Sequence, residues 1–372
     1  MRVIVAPDSL KGSISARDAA RAIAAGWREV RPDDTLLLTP MADGGEGTLD
    51  AVEASHPGAV RHAAIVRGPQ ARSVRAEWLM LEDGTAVIEM AQSSGLPLVD
   101  DLDPTGAHTY GVGETIAAAL DAGADRIIVG LGGSASTDGG TGALAALGTR
   151  FLDAAGQPVA LGGAGLEALD RIELDDLRPA PARGVLCLSD VTSPLLGAHG
   201  AAAVFGPQKG ADAAQVRALD AGLARLAALL GDSGNQPGDG AAGGTSFGLR
   251  AAWGAELRAG ADEIAALTGL TDELTASDFL ITGEGKFDRT SLQGKVVGHL
   301  LRLADARGAI TGIVAGQAED PRSDPDARSL VTLTELAGGS ANAMADPERW
   351  LRAAGAGLAS RGAWGPASPA SL

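Results

Sequence analysis

The chain has 372 residues, a formal net charge of −17 and 45% apolar residues, which is enough apolar material for two hydrophobic cores and predicts two domains. The negative charge disfavours nucleic acids and acidic membranes as partners, because both are polyanionic. A single cysteine, Cys187, excludes an internal disulfide framework. The apolar run at the N-terminus is too short for a signal peptide, so we expect the protein in the cytoplasm.

Short β-rich runs alternate with longer helical patterns along the chain, which is typical of an α/β fold with a largely parallel sheet. The pattern predicts strands over 2–6, 36–38, 126–131, 184–189, 278–282 and 309–315, and helices over 16–30, 109–122, 212–230 and 295–306. Ser15 is the predicted N-cap of the first helix. Residues 74–90 differ, because apolar residues alternate on both sides of Asp83-Gly84 and so predict an antiparallel hairpin.

Two stretches show no regular periodicity. Residues 231–248 are rich in Gly and Asp and are long for a plain connection, so a functional loop or lid and a flexible linker are both open interpretations. The tail after Arg361 is rich in Pro, Ala and Ser and is expected to be disordered.

Six loops, five of which contain glycine, carry most of the polar chemistry, and most of them follow a predicted strand, at the edge where open α/β sheets bind ligands. They cover residues 8–13, 41–48, 132–140, 190–194, 206–210 and 283–288. A glycine loop that precedes a helix can aim backbone N–H groups at a phosphate. Loop 132–140 contains four glycines between a predicted strand and a predicted helix. We therefore predict that, of all the loops in the chain, it is the one best suited to bind a phosphate.

The chain contains only four lysines, and each has a glycine as its neighbour. They are Lys11, Lys209, Lys286 and Lys295. Loop lysines are commonly just solvated, and this stays the alternative for any one of them. A compact ammonium group beside a closely approaching backbone also suits a phosphate oxygen or a substrate carboxylate, which is a point-charge role. The placement therefore indicates anion binding.

Carboxylates share these loops. They are Asp8, Asp43, Glu46, Asp138, Asp190, Glu284 and Asp288. Phosphoryl transfer needs one acid to hold Mg²⁺ and one to accept the proton of the attacking hydroxyl, although turn formation explains any single acid equally well. The Gly294-Lys295 pair lacks the remainder of a Walker A loop, so a P-loop kinase is disfavoured. Residues 130–135 fit a relaxed dinucleotide fingerprint, but the expected helix does not follow at once.

With these loops in view, the chain resembles the bacterial glycerate kinase family of the type that makes 2-phosphoglycerate, over nearly its full length. The resemblance is carried by residues 7–13, 41–48, 130–140, 190–195, 204–211, 238–244 and 283–288, with Gly294-Lys295. Leu10, Thr137 and Ser193 depart from the family's usual Phe, Asn and Asn. The resemblance implies a Rossmann-like parallel-sheet domain built from both chain ends, residues 1–62 and 276–372. A second α/β domain, residues 63–275, is inserted between them and contains the antiparallel hairpin, and the active site is expected in the cleft between the domains.

The resemblance also implies ATP-dependent phosphorylation of D-glycerate to 2-phosphoglycerate, with ATP and Mg²⁺. Our hypothesis makes Asp190 the catalytic base with Asp8 as the alternative, while Lys11 and Lys295 neutralise phosphate or carboxylate. Glycerate would be bound by Ser9, Lys209, Thr192 and Ser193, and Mg²⁺ by Asp43 and Glu46. The ATP phosphates would be held by Gly44, Gly45, Gly132, Gly133, Ser134, Thr137, Asp138, Gly139, Gly140 and Glu284. The family varies at Lys286, so we interpret that lysine as incidental.

Two other functions stay open on the residues alone. An NAD-dependent hydroxy-acid dehydrogenase could use loop 130–135, but it would leave the lysine loops without a task. A non-catalytic small-molecule sensor would bind glycerate without turning it over. Small molecules are the expected partners in each case, and the oligomeric state is open, with a homodimer as one alternative.

Overall fold

A computed structural model describes residues 1–292, 295–319 and 329–361, and it confirms the predicted α/β fold with parallel strands and a hairpin. The strands are β1 Arg2–Pro7, β2 Thr35–Leu38, β3 Val60–Arg67, β4 Ser73–Met80, β5 Thr85–Glu89, β6 Arg126–Gly130, β7 Arg150–Leu152, β8 Arg171–Glu173, β9 Val185–Leu188, β10 Glu256–Arg258, β11 Asp278–Phe287, β12 Ile310–Ala318 and β13 Ser329–Thr332. The helices are α1 Ala16–Val30, α2 Thr48–Ser55, α3 Ala91–Ser94, α4 Tyr110–Asp121, α5 Thr141–Ala146, α6 Ala201–Phe205, α7 Ala213–Leu230, α8 Ala241–Trp253, α9 Gly260–Leu267, α10 Leu270–Glu273, α11 Val296–Arg307, α12 Leu333–Ala337, α13 Ser340–Ala345 and α14 Pro347–Ser360.

The chain divides into two compact units. The first unit contains Met1–Asp43, Asp50–Pro57 and the chain from Ala261 onward, and the second contains Gly44–Leu49 and Gly58–Gly260. Each unit has its own sheet.

The first unit is built on a five-stranded parallel sheet in the order β13-β12-β11-β1-β2. Strand β1 lies between β2 and β11, with Arg2 opposite both Thr35 and Asp278. Val3, Ile4 and Val5 are completely buried, as expected for a parallel strand that is covered on both faces. All carboxyl ends therefore lie at one edge of the sheet.

Helices α1 and α14 pack closely in the first unit because glycines face the partner backbone. A Cβ atom at Gly26 would overlap the Arg352 carbonyl, and one at Gly355 would overlap the Ile23 carbonyl. Helix α1 begins as predicted, since Ser15 Oγ accepts a hydrogen bond from the Asp18 N–H over 3.1 Å. Both helices bury their apolar faces against the same core, which contains Trp27 and Phe279.

The second unit is built on a six-stranded mixed sheet in the order β10-β9-β6-β5-β4-β3, with β7 and β8 forming a separate antiparallel pair. The four strands from β10 to β5 are parallel, while β3, β4 and β5 pair antiparallel. The predicted hairpin is confirmed, and its turn lies at Asp83-Gly84, where Gly84 has a φ of 83°. Strand β3 pairs antiparallel with β4 and so adds a third strand to this antiparallel region.

Residues 231–248 are not the flexible linker that one interpretation of the sequence proposed. Helix α8 begins at Ala241, although Ala242, Gly243 and Gly244 all have positive φ inside it. Asp239 is completely buried, and Arg250 Nε donates a hydrogen bond to Asp239 Oδ1 over 2.8 Å. The glycines allow this strained turn, and the ion pair anchors it. The predicted disorder of the tail concerns residues 362–372, which lie outside the described residues.

Within the described ranges, no helix is both long enough and apolar enough to cross a membrane.

Candidate active site

The first unit contains a cavity of about 360 Å³ next to the carboxyl ends of β1, β11 and β12. It is lined by Asp8, Ser9, Leu10, Lys11, Ser13, Asp43, Glu284, Gly285, Lys286, Lys295, Gly316, Gln317, Leu333, Thr334, Ser340, Ala343 and Met344. This is the edge at which open α/β sheets gather ligands. Six of the residues predicted from the sequence line it together: Asp8, Ser9, Lys11, Asp43, Glu284 and Lys295.

Asp8 is held at the mouth of strand β1 by backbone contacts. Its own N–H donates to the Gly283 carbonyl over 2.8 Å, which extends the β1 to β11 pairing by one residue. The Ser9 N–H donates to Asp8 Oδ1 over 2.6 Å. The chain then turns through Gly12, where φ is 78°. The sheet therefore fixes the position of the carboxylate at the cavity.

Electrostatics make Asp8 a proton acceptor near neutral pH. Burial and the neighbouring Asp43 raise the pKa of Asp8 to about 7, against the opposing effects of the Ser9 N–H and Lys11. Burial also raises the pKa of Glu284. Catalytic bases work best when their pKa lies near the working pH, so Asp8 has the properties that such a base requires.

Three of the four lysines line this cavity, and their surroundings differ. The Lys11 ammonium lies 3.9 Å from Asp43 Oδ2 and its side chain is mostly exposed. Lys295 stands at the start of α11 and donates to Thr290 Oγ1 over 3.3 Å.

Lys286 is engaged by two acids, at 3.2 Å from Asp288 and 3.7 Å from Glu319. The hydrogen bond to Asp288 raises the pKa of Lys286. Lys286 thus lines the cavity, although we interpreted it as incidental from the sequence.

The fourth lysine, Lys209, lies in the second unit and is almost completely buried. Its ammonium donates to Ser134 Oγ over 2.9 Å and also to the Ser136 carbonyl. Burial lowers the pKa of Lys209 to about 7. Two predicted groups, the lysine and loop 132–140, are therefore in direct contact.

Loop 132–140 is shaped by its own carboxylate. Asp138 is completely buried and accepts hydrogen bonds from the N–H groups of Thr109, Gly140 and Gly142. Gly139 donates its N–H to the Gly243 carbonyl over 3.0 Å. The Asp138 side chain thus occupies the N–H groups at the start of α5, and a phosphate there would have to displace it. The role of Thr137, Gly139 and Gly140 in phosphate binding stays a prediction.

The remaining predicted residues lie in loops of the second unit. Asp190 Oδ1 accepts a hydrogen bond from the Gly260 N–H over 2.8 Å, and the Ser193 carbonyl accepts one from the Gly240 N–H over 2.9 Å. Thr192 and Glu46 are exposed.

Close backbone packing accounts for several glycines of the second unit. The Gly132 N–H donates to the Gly44 carbonyl over 3.1 Å, and a Cβ atom at Gly132 would overlap Gly45. Gly133 has a φ of 75°. These glycines are needed for the backbone path itself.

Comparison with known proteins decides the family. The model of the family described as "Glycerate kinase family" matches residues 3–361. The chain belongs to the glycerate kinase family. It is 44% identical to "Glycerate 2-kinase" of Escherichia coli strain K12, over 80% of each chain. It is 40% identical to "Glycerate kinase" of Halalkalibacterium halodurans, over 84% of this chain and 85% of that one.

A solved structure agrees with this membership. The crystal structure of a candidate glycerate kinase 2 from Salmonella typhimurium LT2 superposes with a TM-score of 0.81 at 35% identity, over 97% of this chain and 98% of that one. Glycerate kinases are phosphotransferases, so the dehydrogenase alternative has no support. In line with this, α5 begins only at Thr141, too late for the helix that a dinucleotide fingerprint should open directly.

Of the two acids predicted to hold Mg²⁺ in this glycerate kinase family member, Asp43 lines the cavity and Glu46 is exposed and does not line it. The described ranges hold no cluster of three or more His, Cys, Asp or Glu side chains arranged for a metal ion. Mg²⁺ commonly needs only one or two carboxylates beside water and substrate phosphates. Asp43 and Glu284, which share the cavity, meet that requirement.

The sequence analysis missed one whole wall of the cavity. Gln317, Leu333, Thr334, Ser340 and Met344 come from β12, α12 and α13. Glycines adjoin two of them, Gly316 before Gln317 and Gly338-Gly339 before Ser340, and were the available signal. That signal is weak, because no charged residue stands next to these glycines.

Proposed function

We propose that this protein transfers the γ-phosphoryl group of ATP to the 2-hydroxyl of D-glycerate and releases 2-phosphoglycerate and ADP. Family membership and the 44% identity to a protein named "Glycerate 2-kinase" support the reaction. The observation that carries it is the grouping of Asp8, with its pKa of about 7, and the two lysines Lys11 and Lys295 in one cavity at the carboxyl edge of a parallel sheet.

In this mechanism Asp8 replaces Asp190 as the preferred base. Asp8 accepts the proton of the glycerate 2-hydroxyl while that oxygen forms a bond to the γ-phosphorus, and the bond from the γ-phosphorus to the bridging oxygen of ADP breaks. Lys11 and Lys295 stabilise the negative charge on the transferred group and on the leaving ADP. Asp190 instead accepts the N–H of Gly260, which fits a structural role within the second unit.

The carboxylates in the cavity are suited to Mg²⁺. Glu284 is largely buried, and its Oε1 atom accepts no hydrogen bond from any described residue, so a cation would satisfy it. Asp43 and Glu284 would hold the ion, which neutralises phosphate charge when it is bound. Asp8 would then remain available to the substrate hydroxyl.

A coupled assay of ADP release tests this proposal. Release should depend on both D-glycerate and the protein, and ³¹P NMR of the product should show 2-phosphoglycerate. A product of 3-phosphoglycerate would contradict the regiochemistry. Binding of glycerate without any ADP release would instead support the non-catalytic sensor.

A further inference from the structure

The residues that line the cavity of the first unit are of two chemical kinds. One kind is the carboxylates and lysines described above. The other is apolar: Leu333 of α12 and Ala343 and Met344 of α13, which together we call the apolar wall. Leu333 and Ala343 are buried, but Met344 is 62% exposed. Because Met344 lines the cavity and is exposed, its apolar side chain is available to contact a ligand there.

The size of the cavity exceeds what the acid substrate needs. Pockets that hold drug-sized molecules measure about 300–1,000 Å³, and this cavity, at about 360 Å³, falls within that class. A three-carbon acid is far smaller and fully polar, so it gains nothing from contact with the apolar wall. A nucleotide is large enough, and it has a flat, weakly polar base at one end and phosphates at the other.

Polar groups of the cavity also fit a nucleoside. Thr334 Oγ1 donates a hydrogen bond to the Gly316 carbonyl over 2.7 Å, which fixes the start of α12 against β12. Gln317 and Ser340 line the cavity with exposed side chains. An amide side chain offers both a donor and an acceptor, which is the pattern that pairs with the edge of adenine.

From these observations we infer that the nucleoside of the nucleotide co-substrate binds in this cavity, with its base against the apolar wall of Leu333, Ala343 and Met344 and its phosphates directed toward Lys11 and Lys295. This deepens the proposed function and rests on it for the identity of the nucleotide. It assigns nucleotide binding to the first unit, and not to loop 132–140.

Calorimetric titration of ADP in the absence of glycerate tests the assignment. Met344→Gln removes the apolar contact without adding charge, and should weaken ADP binding about fourfold, the effect of one buried methylene group. Leu336→Gln is the matched control, because Leu336 is an exposed residue of α12 that does not line the cavity. Inorganic tripolyphosphate should bind the wild type and Met344→Gln equally, since it has no base.

A second variant tests the same site by filling it. Ser340 is exposed, so Ser340→Trp should fold, and its indole should occupy the place of the base and weaken ADP binding more than about thirtyfold. Equal ADP affinities in the wild type, Met344→Gln and Ser340→Trp would overturn the assignment. So would a loss of tripolyphosphate binding as large as the loss of ADP binding.

The two proposals can fail separately. ADP binding is measured without turnover, so absence of glycerate-dependent ADP release would reject the reaction and leave the binding result intact. Turnover with unchanged ADP affinity in both variants would reject the nucleoside site alone.

Discussion

Lys209 donates a hydrogen bond of 2.9 Å to the Ser134 hydroxyl from a position with almost no solvent exposure. Sequence analysis predicted this lysine to bind glycerate. In the structure its ammonium holds loop 132–140 through Ser134 and the Ser136 carbonyl, so we expect it to shape the loop.

Lys209→Met should change the pH dependence of stability. The pKa of Lys209 is lowered to about 7 in the folded protein, while a lysine in the unfolded chain has a pKa of about 10.4. The unfolded state therefore binds more protons between these values, and stability of the wild type rises with pH across that window. Below pH 7 the lysine is charged in both states, so its burial destabilises the folded protein to the full extent. Above about pH 10 it is neutral in both states, and this destabilisation is gone.

Urea unfolding at pH 7.5 and pH 9 measures this effect. The free energy of unfolding of the wild type should gain about 1–2 kcal/mol relative to Lys209→Met over that interval. Cys187 is the only cysteine in the sequence and is completely buried in the second unit, which also contains Lys209. Its reaction with a thiol reagent therefore reports unfolding of the unit that contains the lysine. Parallel pH profiles of the two proteins would show that the lysine is not buried as described.

Asp8→Asn should abolish most turnover because the amide cannot accept the hydroxyl proton. We expect kcat to fall by about 10²–10⁴, with ADP affinity changed far less. In the wild type, kcat/KM should rise with pH through about 7 as Asp8 loses its proton. Retention of more than a tenth of the wild-type kcat would return the role of base to Asp190.

The stability of Asp8→Asn provides its control. Because the folded pKa of Asp8 is raised to about 7, the folded protein binds more protons than the unfolded chain between about pH 4 and pH 7. Above pH 7 the carboxylate is charged in both states, and its burial then destabilises the folded wild type to the full extent. The variant should therefore be more stable than the wild type at pH 8, by about 1–3 kcal/mol, and the gain should shrink toward pH 5. An inactive variant that is less stable would indicate misfolding.

The cavity lysines should differ in importance. Lys11→Ala and Lys295→Ala should each lower kcat/KM by about 10²-fold or more, since they lose charge stabilisation of the transferred phosphoryl group. Lys286→Ala should lower it less than about fivefold, because Asp288 and Glu319 already neutralise that ammonium. Steady-state kinetics of the three variants give the ranking. If Lys286→Ala were the only variant to lose turnover, the predicted ranking of the three lysines would be wrong.

Arg250→Met should destabilise the second unit strongly. Arg250 donates to both Asp239 and Asp232 at 2.8–3.1 Å, and its removal leaves Asp239 charged and completely buried. Breaking a buried pair from one side costs about 3–5 kcal/mol. Arg258→Met is the control, because its ion pair with Glu256 is exposed and should be worth less than about 1 kcal/mol. Urea midpoints of both variants test the difference.

Glycines should respond to alanine according to the space around them. Gly132→Ala should be destabilising, because its Cβ atom would overlap Gly45. Gly357 in helix α14 has open space around its Cβ position, so Gly357→Ala should raise the free energy of unfolding by about 0.5–1 kcal/mol. Thermal unfolding compares the two. Equal melting temperatures would show that Gly132 is not confined as described.

Elements with strong local signals were predictable from the sequence. Helix α1 has both apolar periodicity and the Ser15 cap, and the β4 to β5 hairpin has alternation around an Asp-Gly turn. Helix α8 was missed because three consecutive residues with positive φ, Ala242 to Gly244, break its pattern. Strand β3 was missed because most of its residues are partly or fully exposed, so it lacks a buried apolar run.

The site was predictable only where charge and glycine coincide. Asp8, Lys11 and Lys295 were predicted from such loops, and they line one cavity. Lys209 carries the same signature but is buried, and nothing in the local sequence distinguishes an inward ammonium from an outward one. The domain cleft, the metal ligands and the cytoplasmic location stay predictions.

The pairing of β1 with β11 affects how the protein is made. Arg2 and its partner Asp278 are 276 residues apart, and ribosomes add about 5–20 residues per second, so β1 emerges tens of seconds before its neighbour β11 exists. The second unit, which is encoded between them, can fold during this interval. Until β11 is made, the nascent β1 exposes the edge that later pairs with β11, together with its apolar side chains. Chaperone demand during translation should therefore be concentrated on the first unit.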